Sequence, residues 1–316
     1  MIAAETLANS ERLRAAHRYC RELTRTRARN FYYGLKLSPE PQRSALYAVY
    51  AWMRCADDLV DDADNQTPAE IQARIDAFRA ATDAALAGNP INDDPLWVAL
   101  AATALRFSLP AEHFHAMLDG QTDDLKRTSY TTYDQLLRYC HRVASTVGLV
   151  CIEVWGYDDP AALELAVDRG IAFQLTNILR DYRQDYDAGR VYLPQQDFNH
   201  YGITPEILRQ WSKPQACTAM LMQQIDRAAA LYDRSAPLDA MITPCCRPTL
   251  WAMTAIYRGL LEKMQRNPSQ LVLGRRLRLS AWHKGLIAFR AKWQGRSAST
   301  AGGRHSTANV PGNAQA

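Results

Sequence analysis

The stretch Ala172-Phe-Gln-Leu-Thr-Asn-Ile-Leu-Arg-Asp-Tyr-Arg-Gln-Asp-Tyr-Asp-Ala-Gly-Arg-Val-Tyr-Leu-Pro194 decides how this chain is read. Its polar residues Gln174, Asn177, Asp181 and Asp185 recur at spacings of three, four and four, which is one face of an α-helix. Phe173, Leu175, Thr176, Ile178 and Leu179 cover the remaining circumference. A helix that is apolar around most of its surface is buried, and its polar stripe then faces a cavity. Gly189 is the expected stop, because glycine takes the left-handed backbone that ends helices, and Arg190 sets a cation near the aspartates.

Upstream, Ser44-Ala-Leu-Tyr-Ala-Val-Tyr-Ala-Trp-Met-Arg-Cys-Ala-Asp-Asp-Leu-Val-Asp-Asp62 begins as an apolar helix and ends in four aspartates around Leu59 and Val60. Aspartate is a poor interior helix former, so the placement needs a reason. Asp57 and Asp61, four residues apart, project side by side and repel each other. A hard divalent cation between them removes the repulsion, since magnesium prefers carboxylate, phosphate oxygen and water. Arg54 shares the face and can pair with a phosphate or with Asp57. Alone, this segment also fits a solvated acidic helix end. Asp119 and Asp123 repeat the spacing but bracket Gly120 in a less apolar context, and are assigned to a surface or turn.

Together the two acidic segments predict carboxylates from facing helices flanking a polar cavity inside an apolar bundle. Magnesium, with manganese as the alternative, would bridge them to a diphosphate and offset the charge of that leaving group as an allylic carbon–oxygen bond ionises. Apolar walls would hold a prenyl chain and keep water from the carbocation.

The rest of the chain agrees with a helical reading. Between Ala15 and Trp293 apolar residues recur at three- and four-residue spacing without alternating strand patterns. Breaks fall at Ser38-Pro39, Asn89-Pro90, Pro110, Asp159-Pro160, Pro194, Pro237, Pro244, Pro248 and Pro268. Residues 1–294 are expected to form one all-α domain, and 295–316, rich in Ser, Thr, Ala, Gly and Asn, a disordered low-complexity tail. Although 47% of residues are apolar, no window reaches the roughly 18 to 20 uninterrupted apolar residues of a spanning helix. The N-terminus lacks the pattern of a secretion signal, which points to the cytoplasm. Seven cysteines without C-x-x-C spacing argue against a disulfide framework or a structural zinc site.

In its motifs the chain resembles the squalene/phytoene synthase family over roughly residues 17 to 290. The resemblance rests on Asp57-Asp-Leu-Val-Asp61, Tyr139-Cys-His-Arg-Val-Ala-Ser-Thr-Val-Gly148, and Gln174-Leu-Thr-Asn-Ile-Leu-Arg-Asp181 continuing to Gly189-Arg-Val-Tyr-Leu-Pro194. It implies an isoprenoid-synthase helical bundle with a central active-site cavity, in which two prenyl diphosphates are joined head to head through a cyclopropyl intermediate. It implies that Asp57, Asp61, Asp181 and Asp185 hold magnesium, with Gln174, Asn177 and Arg180 near the substrate diphosphate. Phe31, Tyr50 and Arg54 match positions lining the first-substrate site. Tyr139 matches a tyrosine that assists ionisation or proton removal, and Val143, Ala144 and Gly148 match small residues beside the prenyl chain. Tyr257 and Arg276 match a tyrosine and a diphosphate-contacting arginine, with Arg275 adjacent. His141 is read as structural. Ala28-Arg-Asn-Phe31 departs from the usual Ser-x-Ser-Phe, so Arg29 or Asn30 would replace hydroxyl contacts.

Within the family, the expectation is farnesyl diphosphate converted to presqualene diphosphate or squalene, the latter requiring NADPH. The alternative is phytoene from two molecules of geranylgeranyl diphosphate without a reductant. A terpene cyclase and a non-catalytic lipid-binding helical protein are remoter readings. Charge adds one feature: Lys263 to the end carries +10, so against a chain total of +4 residues 1–262 sum to −6. The segment Gly274 to Trp293 mixes that basic charge with Leu, Trp, Ile and Phe. It reads either as a final core helix with a solvated face or as a peripheral contact with an anionic inner membrane face. No nucleic-acid motif accompanies the charge, and oligomeric state is not legible.

Overall fold

The computed structural model describes residues 2–27, 29–61, 66–126, 128–280, 282, 285–287 and 289–291. The elements are α1 (Ile2–Arg27), α2 (Arg29–Leu35), α3 (Gln42–Asp61), α4 (Pro68–Leu86), α5 (Pro95–Phe107), α6 (Ala111–Lys126), α7 (Tyr133–Cys140), a π-helical turn (His141–Ser145) and α8 (Thr146–Trp155). They continue as α9 (Ala161–Asp187), α10 (Gln195–His200), α11 (Pro205–Gln210), α12 (Pro214–Arg234), α13 (Leu238–Met241), α14 (Arg247–Arg266) and α15 (Gln270–Leu273). The architecture is all-α; among the described residues only two isolated bridges, Ser129 to Val191 and Tyr157 to Ile242, have β geometry.

Local chemistry sets the boundaries. Helices α4, α5, α11, α12 and α14 each carry proline in the first turn, where a missing N–H costs nothing. Thr67 and Glu70 close a reciprocal capping box on α4. Gly189, at φ +79°, stops α9 as its position suggested. Of the expected breaks, Pro248 lies inside the first turn of α14 rather than between helices.

Two apolar clusters build the interior. One gathers α1, α3, α4, α5, α6 and α8 around Cys20, Leu46, Trp52, Ile75, Leu100, Phe114 and Leu118. The other gathers α7, α9, α12 and α14 around Leu136, Leu179, Phe198, Met220, Tyr232 and Met264. Helix α9 joins them: Ala162 and Ala166 belong to the first cluster, Leu175 to Leu179 to the second. Phe31 and Phe173 pack against both, so the seam between the clusters is where a cavity can open.

No helix among the described residues is long and apolar enough to cross a membrane. In the C-terminal basic segment Leu277, Leu279 and Ala291 are buried, whereas Trp282 is 88% and Phe289 70% exposed. Trp293 and the tail 295–316 lie outside the described residues.

Candidate active site

A cavity of about 410 Å³ occupies the seam. On α3 it is lined by Leu46, Val49, Tyr50, Met53 and Asp57, one helical face that runs about 16 Å from Leu46 to Asp57 at 1.5 Å per residue. Ala166, Gly170, Phe173, Gln174 and Asn177 provide the corresponding face of α9. Gly148, Cys151, Ile152 and Trp155 line it from α8, and Gln121 from α6. Asp57, Gln121, Gln174, Asn177 and Arg190 are its polar residues nearest the acidic segments, while Leu35, Leu46, Trp155, Leu250 and Met253 make an apolar wall. The Trp155 indole is fixed by donating to Ser38 Oγ at 3.3 Å, and Ser38 Oγ in turn lies 2.8 Å from Thr249 Oγ1.

The electrostatics of the polar residues differ from one helix to the other. Gln121 Nε2 donates to Asp57 Oδ1 at 2.5 Å from a nearly buried position. Asn177 Nδ2 faces Gln174 Oε1 at 3.4 Å, while Asn177 Oδ1 is a buried acceptor with no hydrogen-bond partner. An orphaned acceptor of this kind carries the full cost of desolvation until a ligand supplies a partner. Asp57 and Asn177 Oδ1 therefore offer hard oxygen to the same cavity, the donor type a magnesium ion takes.

Asp181 is compensated already. Arg276 donates through Nε and Nη2 at 2.6 and 2.7 Å, and Arg180 through Nε at 2.9 Å and again through Nη2. Burial acts to raise the Asp181 carboxyl, but these hydrogen bonds outweigh it and hold the group below the usual carboxylate range. Tyr257 is buried against Phe31 and Phe173, with ring centroids at 5.5 and 4.7 Å. Burial pushes its hydroxyl up against the opposing pull of Arg180 and Asn177. Tyr50, stripped of water beside Arg54 and Asp57, is pushed up to about 12.

The segment from Tyr139 to Gly148 contains the π-helical turn His141–Ser145, an irregularity that changes the direction in which side chains leave the helix. Val143, Ala144 and Gly148 are thereby brought to the cavity wall. Gly170 of α9 makes this possible, because a Cβ there would lie 2.5 Å from Ser145 Cα. Ser145 Oγ closes the contact by donating to the Val167 carbonyl at 2.8 Å. Tyr139 forms an aromatic trio with Tyr130 and Tyr192, at centroid separations of 5.3 to 6.0 Å.

Of the residues singled out in the sequence, Phe31, Tyr50, Asp57, Tyr139, Val143, Ala144, Gly148, Gln174 and Asn177 line this cavity. Arg54 pairs with Asp58. The expectation that the whole α9 stripe faces the cavity is corrected: Gln174 and Asn177 do, whereas Asp181 turns to its two arginines and Asp185 lies beyond the lining. A partly buried carboxylate is driven to nearby cations by the cost of leaving it uncompensated. Among the described residues no group of three or more His, Cys, Asp or Glu converges on one point. The Asp61 side chain and those of Ala28, Arg29 and Asn30 lie outside the described residues. Of the two adjacent arginines it is Arg276 that reaches Asp181. Asp119 and Asp123 lie at the surface as one of the two expectations had it, on a helix rather than in a turn, and pair with Arg79 and Arg142.

Gln121, Tyr130 and Tyr192 were not picked out from the sequence. Gly120, next to Gln121, lets α6 pack closely on the π-helical turn, since a Cβ at Gly120 would lie 2.8 Å from Val143 Cγ1. Nothing in the pattern around Tyr130 distinguishes it from a core tyrosine.

A family model described as squalene/phytoene synthase matches residues 24–283. The chain is 37% identical over 282 residues to a protein named phytoene synthase from Mycobacterium tuberculosis, covering 86% of this chain and 89% of that one. It is 32% identical over 296 residues to 15-cis-phytoene synthase of Synechococcus elongatus, covering 90% and 94%. Among solved structures it is similar to a dehydrosqualene synthase in complex with ligand, with TM-score 0.79, 27% identity and coverage of 92% and 99%. It is also similar to a squalene synthase from Alicyclobacillus acidocaldarius, with TM-score 0.74, 28% identity and coverage of 80% and 94%.

Proposed function

This chain belongs to the squalene/phytoene synthase family, prenyltransferases that act on prenyl diphosphates, and we propose that it joins two molecules of geranylgeranyl diphosphate head to head to give phytoene. The names of the relatives at 32 to 37% identity support this finer reading over the farnesyl substrate expected from the sequence. The observation that carries the chemistry is one cavity with hard oxygen acceptors, Asp57 and Asn177 Oδ1, set beside long apolar walls.

Asp57 and Asn177 Oδ1 would hold divalent cations, joined, by the family resemblance, by Asp61, Asp181 and Asp185. Bound there, such a cation supplies Lewis-acid compensation for the departing diphosphate. Arg276 and Arg180, which hold Asp181, would exchange that carboxylate for substrate phosphate oxygens, to which guanidinium binds as a fork. Arg190 adds positive charge from the cavity wall. The first substrate loses diphosphate to leave an allylic cation, which the double bond of the second attacks; loss of a proton closes a cyclopropane. Tyr139 and Tyr192, both in the cavity lining and with Tyr130 packed against them, would present π density to that cation. Phe31, Phe173 and Met53 exclude water, and the small Ala144 and Gly148 leave room for a prenyl chain. Ring opening with loss of the second diphosphate and a proton gives the conjugated product and needs no NADPH.

Incubation with magnesium and labelled geranylgeranyl or farnesyl diphosphate, with and without NADPH, tests the reading. Phytoene from the longer substrate without reductant is the expected result. Conversion of farnesyl diphosphate alone, with squalene appearing on addition of NADPH, would establish the second reading. That reading draws its support from the dehydrosqualene and squalene synthase structures at 27 to 28% identity.

A further inference from the structure

Away from the cavity, α1 presents Arg14, His17, Arg18 and Arg21 at spacings of three, one and three, a single helical face. That face is one wall of a surface groove of about 410 Å³. Opposite it stand Lys36, just past α2, and Arg43 in the first turn of α3. The floor is made by Tyr32 and Tyr47, buried and stacked at 5.7 Å with an 18° interplanar angle.

Five cations line the groove against one carboxylate, Glu40. That carboxylate is already engaged, accepting from Arg43 Nε at 2.9 Å and from the Ser44 backbone N–H at 3.2 Å. Residues 1–262 sum to −6, so the groove reverses the sign of the region that contains it. Arg14 with Arg18, and Arg18 with Arg21, are like charges one turn apart, a repulsion that Glu11, 3.9 Å from Arg14 and outside the groove lining, offsets only at one end. Arg21 and Tyr32 line the groove together. The groove is separate from the catalytic cavity: Tyr32 and Lys36 face it from one side of α2, while Phe31 and Leu35 face the cavity from the other.

We propose that this groove is a second anion site, taking a diphosphate or a similarly phosphorylated group. Inorganic diphosphate has that chemistry, and so does a phospholipid headgroup. Equilibrium dialysis of the full chain with radiolabelled inorganic diphosphate and magnesium counts the sites. The Arg18→Ser/Lys36→Ser variant is expected to bind one equivalent fewer than wild type. Asp57→Asn, which weakens only the catalytic equivalent, should retain the groove equivalent, so that failure of the catalytic reading is seen separately. A lipid source is tested by sedimentation with phosphatidylglycerol or phosphatidylcholine vesicles. Equal diphosphate equivalents in wild type and the double variant, with anionic-vesicle binding lost in the double variant, assign the groove to a headgroup. Both substituted side chains are exposed, and an unchanged helical circular dichroism signal establishes that the variant is folded. If the folded variant matches wild type with both probes, the proposal fails.

Discussion

Asp57 and Asp181 are the same residue type at the ends of two apolar helical runs, yet their surroundings are opposite. Asp57 lines the cavity and accepts a hydrogen bond from a neutral amide, Gln121. Asp181 is held by two guanidiniums, Arg180 and Arg276, and points away from the lining. The amide adds no positive charge to Asp57, whereas Asp181 must release an arginine to bind anything else. One carboxylate thus lies in the cavity lining and the other is held by ion pairs outside it. The difference teaches that an Asp-rich motif specifies donor type, while the neighbouring helices decide how readily the donor can be used.

The largest effect that would break this comparison is expected at Asp57. Asp57→Asn should lower diphosphate release by about a thousandfold with little change in melting temperature, as for loss of one preorganised charge-stabilising group. Asp181→Asn should instead lower stability as well as turnover, because Arg180 and Arg276 lose their anion. Equal melting temperatures for the two variants would erase the distinction. Gly170→Ala tests what fixes the second segment: the new methyl meets the Ser145 backbone, and overpacking should cost about 1–3 kcal/mol in denaturant titrations.

Arg276→Gln should raise KM about tenfold while leaving kcat closer to wild type, if Arg276 exchanges Asp181 for phosphate. Gln121→Leu should slow turnover roughly fivefold, about 1 kcal/mol for one hydrogen bond, by letting the Asp57 carboxylate turn. The smallest effect concerns pH. Because the folded Asp181 carboxyl is depressed, its stabilisation is present above the ordinary carboxylate range and is lost as pH falls through the depressed value. Thermal unfolding followed into acid should therefore be less steep for Asp181→Asn than for wild type.

The interior stripe of α9 shows how far periodicity reaches. The spacing of Gln174, Asn177, Asp181 and Asp185 fixed a buried helix and a polar face, and Gly189 fixed its end. It did not divide the face into cavity residues and an ion-paired residue, because that division depends on Arg276, 95 positions away in sequence. The π-helical turn was equally out of reach: His141–Ser145 reads as ordinary helix, and its extra residue is accommodated by the missing side chain of Gly170 on another helix. The family motifs nevertheless named Val143, Ala144 and Gly148 beside the cavity, since a motif transfers the outcome of packing without its cause.

By itself the sequence determined the all-α class, the helix ends marked by proline and glycine, and the kind of oxygen ligands on α3 and α9. Those properties follow from backbone dihedral limits and from helical periodicity, which act over a few residues. Only the tertiary structure decided that Gln121 holds Asp57 across 64 positions and that Tyr130 and Tyr192 flank Tyr139. It also decided which carboxylate meets the cavity and which meets arginine. Hydrogen bonds and ion pairs between helices are chosen by what the packed core brings within about 3 Å, and no local pattern encodes that choice.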